Sequence, residues 1–277
     1  MIPYFQNKTC LIVTKHQKEL AIAPALESSL GLKCIHSAQF NTDLLGTFSG
    51  EIERIKDPIS TVKDKCLLGV NYPGIDFIVA SEGSFGPHPY IPFVYADEEL
   101  IGFYDIQNGH FLVEKQLFLD VNFGQLHLNK IEQLETFLTQ YQFPSHGVIL
   151  KIEDKIIKDE NDKVLIYKTI SEAIQNGLSC SIETDMRAMS NPTRMAAIAQ
   201  LAKKLAQTLT TNCDQCQSYG FAIKERVPGL QCSICKRPTK SIHYHLYRCW
   251  HCGFEEKKLF PNQKYYEEPT FCDWCNP

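Results

Sequence analysis

Short, continuous apolar runs alternate with amphipathic stretches through most of the chain. "CLIVT" (10–14), "LKCIHS" (32–37) and "DFIVAS" (76–81) read as strands. Two helical stretches lie between them. In "KHQKELAIAPALESSLG", Leu20, Leu26 and Leu30 recur at helical spacing, Gly31 suits a C-terminal cap, and Pro24 starts or kinks the helix. "ISTVKDKCLLGV" (59–70) is the second, with Ser60 or Thr61 as its cap. Strand–helix–strand alternation of this kind predicts an α/β sheet.

The rhythm then changes. "ELIGFYDIQNGHFLVEKQLF" places Asn108-Gly109 between two β-rich arms, a strong hairpin signal. "NKIEQLETFLTQYQF" is an amphipathic helix with Ile131, Leu134, Leu138 and Tyr141 on one face and Asn129 as cap. "HGVILKI" and "KVLIYKT" read as strands joined by the charged turn "EDKIIKDEND". A short helix, "ISEAIQNGL", precedes a last strand, "LSCSIE" (178–183). In "NPTRMAAIAQLAKKLAQTL", Asn191 caps a helix, Pro192 takes its first position, and Ile198, Leu201, Leu205 and Leu209 line one face.

Two stretches carry candidate chemistry. In "FIVASEGSFGPHPYIPF" (77–93), the apolar run breaks into a Gly-rich loop bearing Glu82. Open α/β sheets place active-site acids at such strand ends. Thr193 and Arg194 fall in the first turn of the last helix, where free N–H groups and the helix dipole favour an anion. Asp185 and Arg187, just after a strand, add to that reading.

Composition narrows the class. With 277 residues, 44% hydrophobic and 22% charged, the chain builds a real core in one or two domains. A net charge of -4 argues against nucleic acid or an anionic membrane as partner. No apolar run approaches the ~20 residues of a membrane span, and no leader pattern opens the chain, so a cytoplasmic protein is expected.

Eight of the twelve cysteines form four C-x-x-C pairs: Cys213/Cys216, Cys232/Cys235, Cys249/Cys252 and Cys272/Cys275. Two tetrahedral four-thiolate zinc sites account for all of them. Consecutive pairs sharing an ion are the first expectation, and a nested arrangement with the middle two pairs on one ion is the alternative. Strand-like pieces between the pairs suggest a double zinc ribbon over 209–277, which needs its metal to fold. Nine basic and seven acidic residues there, with about -2 from each zinc centre, leave a weak footprint for nucleic acid. A role in structure or in docking a protein partner is expected instead. His243, His245 and His251 read as surface or strand residues. Cys10, Cys34, Cys66 and Cys180 read as buried thiols.

"TKHQKE" (14–19), "ASEGSFGPHP" (80–89), "ETDMRAMSNPTRM" (183–195) and the cysteine-rich tail together resemble a bacterial family of unknown function. More distantly, the order of motifs is similar to that of the inosine triphosphate pyrophosphatase-like enzymes, which cleave nucleoside triphosphates to monophosphate and pyrophosphate. That resemblance implies a mixed-sheet α/β domain with helices on both faces over 1–208. It also implies a Mg²⁺- or Mn²⁺-dependent hydrolase with a nucleotide substrate. Carried onto this chain, Glu82 and Lys18 become catalytic. Thr14, His16, Ser81, Thr193 and Arg194 join Asp185 and Arg187 in binding substrate, and Glu82 with Asp57 holds magnesium. The helix-entry glutamate of those enzymes is replaced by Pro58, with Glu51 and Glu53 upstream. A non-catalytic nucleotide-binding or adaptor protein is the alternative.

Overall fold

A computed structural model describes residues 4–37, 39–40, 56–91 and 93–277; Glu51 and Glu53 lie outside the described residues. The chain divides into two compact units, Met1–Leu205 and Ala206–Pro277.

The first unit begins β1 (Thr9–Val13), α1 (Glu19–Leu30), β2 (Lys33–His36), α2 (Pro58–Leu68), β3 (Phe77–Pro87), β4 (Tyr95–Asp105), β5 (His110–Phe118). Its first sheet has the order β2-β1-β3-β4-β5. β1 runs parallel to β2 and β3, and β3, β4 and β5 are antiparallel. The sheet is therefore mixed. Leu11, Val13, Ile78 and Ala80 pack with Val62 and Cys66 of α2 on one face. Gly31 closes α1 in the left-handed conformation (φ 71°), and Pro24 sits inside that helix without starting it. Asp57, not Ser60 or Thr61, caps α2: its carboxylate accepts from the N–H groups of Ile59 and Ser60, both at 3.0 Å.

The chain continues through β6 (Gln125–His127), α3 (Glu132–Gln140), β7 (Val148–Ile152), β8 (Lys155–Ile157), α4 (Lys163–Gln175), β9 (Cys180–Thr184) and α5 (Pro192–Thr210). The second sheet has the order β6-β9-β7-β8. Leu134, Leu138, Ile166, Ile170 and Ile182 share its core. α3 starts at Glu132 without a side-chain cap. The N–H groups of Asn129 and Lys130 donate instead to Gln133 Oε1.

Two further sequence expectations fail here for physical reasons. "KVLIYKT" is helical, not a strand. It fuses with "ISEAIQ" into α4, capped by Asp162, with Ile166, Ile170 and Ala173 buried along one face. β3 does not stop at Ser81. It pairs with β4 in unbroken register as far as Pro87, so "SEGSFGP" is strand and the loop begins at His88. Eleven cross-strand pairs override the low β propensity of its glycines.

The second unit is a three-stranded antiparallel sheet, β10 (Ala222–Pro228), β11 (Ile242–Arg248) and β12 (Glu255–Leu259). The C-x-x-C pairs lie in the turns before and after these strands. Among the described residues, no helix is long and apolar enough to cross a membrane.

Candidate functional site

The eight paired cysteines gather into two clusters: Cys213, Cys216, Cys249 and Cys252, and Cys232, Cys235, Cys272 and Cys275. The pairing is interleaved, first with third and second with fourth. It is neither consecutive nor nested. The antiparallel sheet explains it. Each strand carries the chain across the sheet, so successive turns fall at opposite ends and alternate turns meet. Ala222, Arg248 and Glu255 align at one end, and Pro228 and Ile242 at the other. The result is one sheet braced at both ends, not two ribbons in series.

The sulfur spacing fits the metal. Sγ–Sγ distances are 3.6 Å for Cys216–Cys249 and 3.8 Å for Cys213–Cys252. They are 3.7 Å for Cys235–Cys272 and 3.8 Å for Cys232–Cys275. A regular tetrahedron of four sulfurs with Zn–S of about 2.3 Å has edges of about 3.8 Å. The two four-cysteine clusters are consistent with two structural Zn²⁺ sites.

A second concentration of chemistry lies inside the first unit. The β3–β4 register pairs Ser81 with Ile101, Gly83 with Glu99 and Phe85 with Asp97. Side chains alternate along a strand, so Ser81, Gly83, Phe85, Asp97 and Glu99 share one face. Glu82 points to the other, where it forms an ion pair with Lys65 of α2. On the Glu99 face, Arg194 Nε donates to Glu99 Oε1 at 2.6 Å and lies 3.8 Å from Asp97 Oδ2. Its Nη1 donates to the Met186 carbonyl at 2.7 Å. Lys18 Nζ lies 3.7 Å from Glu99 Oε2. A Cβ at Gly83 would fall 2.3 Å from Arg194 Nη2, so the close approach of guanidinium to strand requires glycine there. All of these charged side chains are buried.

Burial pulls Lys18 down to about 8, opposed by the charge of Glu99; Arg194, Lys65 and Glu82 are also close enough to act on it. Burial pushes the Asp97 carboxyl up to about 7, with Glu99 adding to the effect and Arg194 opposing it. Asp97 therefore holds its proton more tightly folded than unfolded. Between the ordinary value of 3.8 and about 7, the folded state carries up to one extra proton. Its contribution to stability falls as pH rises through that window, by up to about 1.4 kcal/mol per unit. Asp97→Asn is expected to gain on the wild type in urea unfolding as pH goes from 5 to 7. A difference between the two that does not change with pH would contradict this.

The remaining sequence candidates are distributed around this cluster. Thr14 is buried, with Oγ1 3.4 Å from Glu19 Oε2. His16 and Gln17 both adopt positive φ (61° and 59°), a costly conformation in the loop that leads to Lys18. The N-terminus of α5 does not present free N–H groups, contrary to the anion-site expectation. Asn191 Oδ1 accepts from the Arg194 N–H at 3.0 Å. Burial lowers His146, and its Nε2 lies 3.0 Å from Thr193 Oγ1 and accepts from the Thr193 N–H at 3.4 Å. Arg194 itself turns inward. Asp185 is paired with Arg187 (Nη2–Oδ2 2.6 Å), which also reaches Asp159. Asp57 caps α2 at the surface. The sequence reading missed Lys65, Asp97 and Glu99. The Asp-x-Glu alternation inside the apolar strand "YADEELIGF" was the available signal.

A pocket of about 160 Å³ lies on the same face, lined by Phe85, Phe123, Lys158, Asp185, Met186 and Arg187 among others. Phe85 and Phe123 are in ring contact at 4.5 Å.

Residues 65–277 match the family described as Domain of unknown function (DUF6671). The chain belongs to this family. Glu82, Asp97, Glu99, Arg194 and all eight paired cysteines lie in the matched region, and the Thr14–Lys18 loop precedes it. No curated protein matches the chain. Among solved structures, it is similar to protein VC0702 from Vibrio cholerae at 11% identity and a TM-score of 0.33, covering 71% of this chain and 92% of that one. It is also similar to the hypothetical protein CT253 from Chlamydia trachomatis at 12% identity and a TM-score of 0.21, covering 41% and 70%. At these scores neither bears on the site.

Proposed function

We propose that the Met1–Leu205 unit is a metal-dependent hydrolase of nucleoside triphosphates that releases pyrophosphate, and that the second unit is a zinc-braced appendage. One observation carries the reading. Lys18 and Arg194, drawn from two distant stretches of chain, meet Asp97 and Glu99 in one buried charged cluster, and Glu82, across the sheet beside Lys65, is close enough for its charge to act on Lys18. Buried, electrically strained clusters beside a pocket are typical of reaction centres. The strained His16–Gln17 loop and the motif order resembling inosine triphosphate pyrophosphatase-like enzymes point the same way.

In this reading, Phe85 and Phe123 offer ring faces to the base, and Lys158 supplies positive charge at the pocket wall. Lys18 and Arg194 neutralise phosphate oxygens, the main contribution a protein makes to phosphoryl transfer. Asp97 and Glu99 bring two carboxylates to one face of β4, the kind of oxygen ligand a hard divalent cation takes. Such a cation supplies charge neutralisation at the phosphates.

The second reading is a nucleotide-binding adaptor without turnover, with a protein partner docked at the zinc-braced unit. It is favoured by the Lys65–Glu82 and Arg194–Glu99 pairs, in which the protein's own charges already satisfy each other. A panel of nucleoside triphosphates with Mg²⁺ or Mn²⁺, scored for melting temperature and pyrophosphate release, separates the two. Binding at about 100 times Kd adds about 2.7 kcal/mol, a rise of about 5–10 °C for a unit of this size. A thermal shift with pyrophosphate release supports the hydrolase. A shift without release supports the adaptor. No shift with any nucleotide overturns both.

A further inference from the structure

The two four-cysteine clusters treat their tryptophans differently. In the Cys249–Cys252 turn, Trp250 is half-buried. Its indole N–H donates to the Tyr219 carbonyl at 2.7 Å, and its ring lies 5.3 Å from that of Tyr219. That tryptophan is structural. In the Cys272–Cys275 turn, Trp274 is 65% exposed, and its indole N–H has no partner among the described residues. Arg237 lies over its face, 4.0 Å from the ring centre. The preceding residue, Lys236, sits 4.3 Å from the ring centre of Tyr266, which is 51% exposed. Neither cation has a carboxylate partner among the described residues; Lys236 donates only to the Ser233 carbonyl, at 2.8 Å. By count the unit offers nucleic acid little charge, but the count overlooks which charges are already paired. Glu255 is paired with Arg248, Glu256 with Lys258, Glu267 with Lys264 and Asp273 with Lys240. Arg237 and Lys236 are left uncommitted, each on an exposed ring.

We infer that this end of the second unit binds a single-stranded nucleic acid, with bases stacked on Trp274 and Tyr266 and phosphates on Arg237 and Lys236. An exposed ring offers a stacking face to any base. In a duplex those base faces are hidden in the stack. A guanidinium lying on a ring keeps its edge N–H groups for phosphate oxygens, and an ammonium has three donors, of which Lys236 uses one. Ring and cation thus alternate as base and phosphate do along a strand. The metal cluster fixes the frame. Lys236 and Arg237 follow one C-x-x-C turn, Trp274 lies inside the other, and both turns belong to the same cluster. The segment carrying Tyr266 is tied to the first turn, because the Ser233 N–H donates to the Glu267 carbonyl and the Glu267 N–H to the Gln231 carbonyl, both at 2.8 Å. A platform held in place beforehand has little ordering cost to meet on binding. Two neutralised phosphates give log affinity a slope on log salt of only about −1.4, so stacking carries most of the affinity.

The test titrates zinc-loaded full-length protein, by fluorescence anisotropy, against labelled single strands of about 12 nucleotides, one DNA and one RNA, and against the corresponding duplex. At least one single strand is expected to bind, severalfold more tightly than the duplex, with a salt slope no steeper than about −1.4. Trp274→Ala is expected to weaken binding by about five- to a hundredfold, the loss of one base–ring stack, and Trp274→Phe to restore much of it. Tyr266→Ala, at a second exposed ring, is expected to behave like Trp274→Ala and guards against misfolding of the first variant. Arg237→Gln should flatten the slope by about 0.7. Metal analysis of each variant, with zinc content unchanged, shows that the platform itself is intact. No binding of either single strand overturns the inference and leaves a protein partner for this unit. A duplex bound as tightly as the single strands, or full affinity in both alanine variants, overturns it as well.

Discussion

Stripping zinc from the purified protein is expected to unfold Ala206–Pro277 while Met1–Leu205 keeps its own melting transition. The second unit is small and its strands are largely exposed: the β10 and β12 positions are mostly at the surface. Its buried side chains are few, and cysteines Cys213, Cys232, Cys249 and Cys272 are prominent among them. Structural zinc supplies an apparent ~10–16 kcal/mol in small domains of this kind, far more than such a core provides. Metal analysis is expected to give two zinc ions per chain. The interleaved geometry makes a sharper claim. Cys213→Ser is expected to lower the count to one. Adding Cys249→Ser should change nothing further, because both belong to the same cluster, whereas adding Cys232→Ser should remove the second ion. Consecutive pairing would give the same single loss for Cys213→Ser with Cys232→Ser. Nested pairing would lose both ions for Cys213→Ser with Cys249→Ser.

Arg194→Ala is expected to destabilise the first unit by about 3–5 kcal/mol, the usual cost of removing one partner from a buried ion pair. Arg194 is 3% exposed and Glu99 0%, so the carboxylates of Glu99 and Asp97 would be left without their guanidinium in the interior. For a unit of this size the melting temperature should fall by about 6–20 °C. Arg194→Lys keeps the charge but not the planar fork that reaches both Glu99 and the Met186 carbonyl. It should recover only part of the loss. Urea unfolding at pH 7 measures both. A cost below about 1 kcal/mol for Arg194→Ala would mean that the cluster is solvated, and the electrostatic picture of the site would be wrong.

Much of the local structure was legible because it depends on neighbours in sequence. The apolar runs of β1 and β3, the left-handed Gly31 after α1, the Asn108-Gly109 turn and the Asn191 cap with Pro192 all appear where the pattern placed them. The amphipathic face of α5 is buried at Ile198, Leu201, Leu205 and Leu209. The eight thiolates announced zinc, because two residues between cysteines set a bite that suits a tetrahedral ion. Local reading went astray where a neighbour in space held the deciding contact. β4 held "SEGSFGP" extended, and Asp162 with the Ile166–Ile170 face turned "KVLIYKT" into a helix.

The functional geometry belongs to tertiary structure alone. The sequence contained Glu82, Lys18 and Arg194, but strand alternation decided that Glu82 faces α2 while Arg194 meets Glu99 and Asp97 on the other side. Asp97 and Glu99 become a site only once β3 pairs with β4 and Arg194 of α5 reaches them. The cysteine spacing offered eight thiolates, enough for two four-cysteine metal sites. Which pairs share an ion was decided by antiparallel strands of similar length, which return every second turn to the same end of the sheet. Spacing along the chain specifies what a segment offers; only the pairing of distant segments specifies what it meets.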